Sequence, residues 1–69
     1  MPFVNIRLVK ELIADGREKK KAAIGKRVAE TIAEVTGLPP HEVWIVFEEV
    51  EAKNWYLGTT DVETLRFKK

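Results

Sequence analysis

Apolar and polar residues alternate over the first nine positions. In "PFVNIRLV" (2–9), Val4, Ile6 and Leu8 share one face of an extended chain, and Phe3, Asn5 and Arg7 share the other. The pattern predicts a strand. From residue 16 to about Thr36 the period changes to that of a helix. Ile24, Val28, Ile32 and Val35 recur at steps of four and three, with Ala22, Gly25, Ala29 and Ala33 beside them. Lys26, Arg27, Glu30 and Glu34 take the outer side. Asp15 with Glu18 three residues later has the form of a capping box, and Gly37 followed by "PP" (39–40) predicts the helix end. "VWIVFEEV" (43–50) predicts a second strand, with Val43, Ile45 and Phe47 on one face and Trp44, Val46 and Val50 on the other.

Both faces of that second strand are largely apolar, as in a strand covered on two sides. One helix covers only one face of a small sheet, so the other face must find its cover in another chain. A long helix returning between two strands is the pattern of a right-handed βαβ unit with parallel strands. The fold class is therefore α/β, a short β-α-β subunit with one long helix. "EAKNWYLGTTD" reads as turn-rich, and "VETLRF" (62–67) as a short third strand or hairpin arm.

Length sharpens the need for partners. With 69 residues the chain is expected to form one domain, 1–69. Such a chain buries only about 60% of its unfolded surface. There is no cysteine, which excludes disulfides and cysteine-based metal sites, and the single His41 cannot build a metal cluster alone. Oligomerisation is the remaining remedy. Twelve Lys+Arg against 11 Asp+Glu leave a formal charge of +1, without the electrostatic footprint of a nucleic-acid binder. "REKKKAAIGKR" is a local basic run best read as a solvated helix face. No apolar run approaches the ~20 residues of a membrane span, and the N-terminus lacks the pattern of a signal peptide. The expected location is cytoplasmic.

Pro2 directly follows Met1. It lacks an N–H to give to a sheet, so a strand start is one of the few strand positions it fits. If Met1 is removed, however, Pro2 becomes a secondary amine at a chain terminus, able to act as a base or a nucleophile.

Taken together, Pro2 behind Met1, the length, the β–α–β order, "GLPPHEVWIVFEEV" and the following "NWYLGT" resemble the 4-oxalocrotonate tautomerase family over nearly the whole chain. The resemblance implies a βαβ subunit that dimerises and assembles as a trimer of dimers, a homohexamer. It implies a cofactor-free keto–enol tautomerase in which Pro2, freed of Met1, is the general base. The substrate class is a small enol or keto acid. No nucleic acid or membrane partner follows from it.

The resemblance also points to site residues. Arg17 is the nearest match to the family's arginine that follows the first strand and grips the substrate carboxylate. The loop before it is longer than usual, however, and strict counting sets Leu12 there instead; Arg17 also reads as an ordinary first-turn surface residue. Arg7 is a reserve carboxylate ligand, with the alternative of pairing with Glu48 on the neighbouring strand. Trp55 matches the family's apolar wall, an aromatic just before the glycine turn, and Tyr56 takes that place if the alignment slips by one. Trp44 stands where the best-studied members carry an arginine from a neighbouring subunit. An indole offers one donor and a large apolar face and cannot fork onto a carboxylate. A monocarboxylate with an aromatic tail, such as an arylpyruvate enol, therefore suits Trp44 and Trp55 better than the usual dicarboxylate, and the expected substrate is a 2-hydroxydienoate or an arylpyruvate-type enol. Leu57 disfavours hydration and dehalogenation, which need a carboxylate near that position. Two other readings stay open: a non-catalytic oligomeric module with the same fold, and a cofactor-free decarboxylase that would need Pro2 protonated.

Overall fold

β1 (Phe3–Val9) and β2 (Trp44–Val50) pair in parallel, and α1 (Arg17–Thr36) joins them. The computed structural model describes residues 2–67; the expected removal of Met1 lies outside them. The register sets Phe3 opposite Trp44, Asn5 opposite Val46, Arg7 opposite Glu48 and Val9 opposite Val50. Strand alternation turns Val4, Ile6 and Leu8 to the same side as Ile45 and Phe47, and these are the less exposed positions of each strand. Phe47 lies against α1, where a Cβ added at Gly25 would meet its ring at 3.7 Å.

The helix runs back against the strands, so its first turn stands over the end of β2. Arg17 and Lys21 reach Glu49 there. Twenty residues at 1.5 Å make α1 about 30 Å long, whereas a seven-residue strand spans about 23 Å. The helix therefore overhangs the sheet. Val35, expected on the buried stripe, lies in that overhang and is 78% exposed. The helix ends as the sequence predicts, with Gly37 at φ +77° and its N–H donated to the Ala33 carbonyl.

Its start differs from the expected capping box. Gly16, at φ +70°, is the N-cap residue, and no side chain caps the helix. The residues before it, Lys10–Ile13, form a 3-10 turn that buries Ile13, and the chain turns out of it through a left-handed position that glycine accepts without strain. Asp15 is thereby left one residue before the capping position.

The C-terminal segment also departs from expectation. The hairpin lies earlier than predicted, in β3 (Tyr56–Leu57) and β4 (Thr60–Asp61), with Gly58 at φ +66° in the two-residue turn. Glu63–Phe67 is a helical turn, not a strand. Asp61 decides this locally. Its carboxylate accepts the Thr64 backbone N–H at 3.0 Å and the Thr64 hydroxyl at 2.8 Å, which caps the turn. The hairpin is anchored back to the sheet region by Glu11, whose carboxylate accepts the Ala52 N–H at 2.8 Å.

Only Ile13, Ala33 and Ala52 are fully buried among the described residues. The radius of gyration is 14.8 Å, against about 11 Å for a compact chain of this length, and the shortest dimension is 14 Å. The subunit is a thin slab with α1 on one side of the sheet; on the other, among the described residues, Asn54, Trp55 and Tyr56 border the Arg7–Glu48 end, and Phe3 and Trp44 are exposed.

Candidate functional site

Pro2 sits at the head of β1. Its carbonyl oxygen accepts the Trp44 backbone N–H at 3.0 Å, so Pro2 and Trp44 occupy the same end of the sheet. Trp44 is 56% exposed on the open face, next to Phe3 at 62%. Among the described strand residues, the open-face positions between this end and the Arg7–Glu48 pair are uncharged: Phe3, Asn5, Trp44 and Val46. At about 3.3 Å per residue, Arg7 is roughly 16 Å further along the strand.

Arg7 belongs to a second cluster, at the far end of the open face. It donates to Glu48 at 3.1 Å across the strands, the pairing that the sequence offers as its alternative role. The Asn5 amide and then Arg7 hold the Glu48 carboxyl below the usual range. Around the pair lies a cleft of about 440 Å³ that also draws on Val50, Asn54, Trp55 and Tyr56. Trp55 is fixed by its backbone on both sides, donating to Ala52 and accepting from Val62. Its indole N–H is buried without a hydrogen-bond partner. Buried polar groups are ordinarily satisfied, so this donor marks a place where an acceptor from outside the chain fits.

Arg17 lies on the other side of the sheet, at the first position of α1. Its Nε is 2.8 Å from a Glu49 oxygen, but the N–H is out of line, so the contact is an ion pair rather than an aligned hydrogen bond. Lys21 takes the second Glu49 oxygen at 2.9 Å. The Lys21 hydrogen bond is the main cause that holds the Glu49 carboxyl below its usual range, and the same bond raises Lys21. Glu49 went unnoticed as a site residue. A signal was available: it is a charged residue at an inward-facing position, two after Phe47.

The structure thus brings Pro2 together with Trp44, and Arg7 with Trp55 and Tyr56. It does not bring Pro2 together with Arg7, Arg17 or Trp55 within one chain. Leu12, the other position to which counting leads, is 51% exposed and lines an apolar cavity at the Val9 end of β1. Among the described residues, no group of three or more His, Asp or Glu is arranged to hold a metal ion, and no helix is long and apolar enough to cross a membrane.

A parallel β-α-β unit with one long helix and small C-terminal strands defines a class of small subunits. Solved structures of that class superpose on this chain. A structure from a study of 4-oxalocrotonate tautomerase isozymes of Methylibium petroleiphilum matches with a TM-score of 0.80 and 26% identity, over 94% of this chain and 98% of the other. The structure of DmpI from Helicobacter pylori matches with a TM-score of 0.80 and 28% identity, over 99% and 100%. The chain belongs to the tautomerase family: the family model described as "Tautomerase enzyme" matches residues 2–64. It is similar to the probable tautomerase K2 of Dickeya dadantii (strain 3937), 33% identical over 66 residues, which is 96% of this chain and 94% of the relative.

Proposed function

We propose that the protein is a cofactor-independent keto–enol tautomerase that acts on an arylpyruvate-type enol, with a 2-hydroxydienoate as the poorer alternative. Pro2, as the terminal residue after removal of Met1, is the general base. The observation that carries this reading is the position of Pro2 at the head of β1, at the first residue of the family match. A proline nitrogen inside a chain is an amide with its lone pair delocalised and has no useful basicity. As a terminal amine it has an ordinary pKa of about 7.7–8.0, and burial of that end between copies would disfavour the charged form and lower that value. A base poised near neutrality suits proton transfer next to a carbonyl. The amine takes the enol hydroxyl proton, the C–O bond becomes C=O, and a proton is returned to the substrate carbon, so that enol and ketone are isomers and nothing else is consumed.

We further propose that the working form is a homo-oligomer, a hexamer built as a trimer of dimers. Three features support this. The accessible surface is 5318 Å², against roughly 4,400 Å² expected for a 7.9 kDa monomer. Phe3, Trp44 and Val46 form an exposed apolar set on the uncovered sheet face. The two candidate clusters also lie at opposite ends of the sheet. A twofold that pairs like edge strands antiparallel sets the Pro2 end of one copy beside the Val9 end of the other, so two half-sites become one.

The test is ketonisation of phenylenolpyruvate, followed by ultraviolet absorbance, in protein whose terminus is established by mass spectrometry. Protein that begins at Pro2 should be active and protein that retains Met1 inactive. Equal rates in the two would remove the amine as base. Inactivity of both, in an intact oligomer, would favour the non-catalytic module.

A further inference from the structure

We propose that the apolar cavity at the Val9 end of β1 is the pocket for the apolar body of the substrate, and that Arg66 at its wall binds the carboxylate. This deepens the tautomerase reading and rests on it for the identity of the occupant. The cavity has a volume of about 360 Å³. Val9, Leu12, Leu57, Val62, Leu65 and Phe67 line it, and among the described residues Arg66 is the one charged liner. A small aromatic acid is matched to such a site in size and in chemistry. Pockets that bind small molecules are mostly apolar, with a few placed polar groups.

Arg66 and Arg27 have no protein partner among the described residues, and of the two only Arg66 lines this cavity. Arg7 is paired with Glu48 and Arg17 with Glu49. Among the described residues, Arg66 has neither an ion pair nor a side-chain hydrogen bond. Arg66 is exposed at the cavity, so its guanidinium is open to an incoming anion, and its planar donor edge fits a carboxylate with two parallel hydrogen bonds. The helical turn Glu63–Phe67, which Asp61 caps through Thr64, sets Arg66 between Leu65 and Phe67 at the cavity.

The cavity also lies at the correct end of the molecule. It opens at the last residue of β1, and Pro2 heads the same strand. Pairing of like edges through a twofold brings the Pro2 end of a second copy to this end. The assembled site then has the amine from one chain and the carboxylate clamp and apolar pocket from the other.

The test uses a non-reacting probe, so binding is read apart from catalysis. Titration calorimetry with 3-phenylpropionate and with its neutral amide is carried out on the assembled protein that begins at Pro2. The acid should bind more tightly than the amide. Arg66→Gln should weaken the acid about ten- to a hundredfold, the worth of a hydrogen bond to a charged group, and leave the amide unchanged. Arg66→Lys should restore part of the difference, and Leu57→Glu should weaken both ligands. Acid binding equal to wild type in Arg66→Gln would overturn the assignment. So would absence of acid binding together with dissociation of the oligomer by Leu65→Asp, which would make this surface a contact between copies. Enol turnover with a KM indifferent to Arg66→Gln would leave the tautomerase reading standing and remove this pocket. Arg66-dependent binding without any turnover would do the reverse.

Discussion

Trp44 donates its backbone N–H to the Pro2 carbonyl oxygen at 3.0 Å, which ties the head of the first strand to the head of the second. The proline ring and the indole thereby share one apolar end of the sheet. The bond uses the Pro2 carbonyl and leaves its nitrogen uncommitted. Pro2→Ala should retain a terminal amine of altered basicity and shape, and its kcat with phenylenolpyruvate should fall without vanishing. One residue added before Pro2 should abolish turnover while circular dichroism stays unchanged. Full activity in the extended protein, its terminus confirmed by mass spectrometry, would reduce Pro2 to a strand-start residue.

On the proposed reading, Trp44 presents an apolar face to the substrate, where a guanidinium would select a second carboxylate. Arylpyruvate enols should therefore have a higher kcat/KM than dicarboxylate enols. Trp44→Arg should narrow or reverse that order, because the fork geometry of arginine suits a carboxylate and the indole does not. The ratio of the two kcat/KM values, in wild type and variant, decides it.

Arg7 and Arg17 are open to the same experiment. If either grips substrate, its replacement by alanine should raise KM roughly ten- to a hundredfold with assembly intact. Arg7 is committed to Glu48 on an exposed surface, where such pairs contribute little, so Arg7→Ala should leave Tm nearly unchanged. Arg17 shares Glu49 with Lys21 on the helix side. Unchanged KM in both variants would leave Arg66 as the carboxylate ligand.

The Glu49 carboxyl has a folded-state pKa below its ordinary 4.5, chiefly through the Lys21 hydrogen bond. A depressed carboxyl stabilises the fold above its unfolded pKa, and that stability is lost as pH falls through the folded value. Lys21, raised above 10.5 by the same bond, loses its share only as pH rises through its folded value. Wild type should thus lose Tm as pH is lowered from 5 to 3, and Glu49→Gln should flatten that slope. Parallel slopes in wild type and variant would show that the cluster contributes nothing to acid stability.

Gly25 faces the Phe47 ring with room to spare. An added Cβ would lie 3.7 Å from the ring, an ordinary van der Waals contact, and the position is mid-helix with negative φ. Gly25→Ala should stabilise by about 0.5–1 kcal/mol through backbone entropy. For a chain of this size that is a rise in Tm of a few degrees. A fall would mean that the helix lies closer to the sheet than the structure has it.

Assembly is open to a direct test on the uncovered face. Val46 is 42% exposed between Trp44 and Glu48. Val46→Asp should convert an oligomer seen by light scattering into smaller species. A wild-type monomer of 7.9 kDa at micromolar concentration would remove the shared site altogether.

The sequence by itself determined the two strands, the helix between them, and its end at Gly37. Periods of two and of 3.6 and a left-handed glycine are local properties, and local sterics enforce them. It also placed the apolar second face of β2, since alternation needs no tertiary contact to be read. The tertiary structure decided matters that depend on what lies opposite. Val35 fits the helical stripe but is exposed, because α1 is longer than the strands it covers. Asp15 has the right spacing for a cap, but burial of Ile13 turns the chain through Gly16. Residues 62–67 have a strand-like composition, but Asp61 caps them into a helical turn and so brings Arg66 to the cavity. The partners of Arg7 and Arg17 depend on strand register and helix direction, two long-range properties. The roughly 16 Å between Pro2 and Arg7 has the same origin, for both lie along one extended segment that no periodicity folds back.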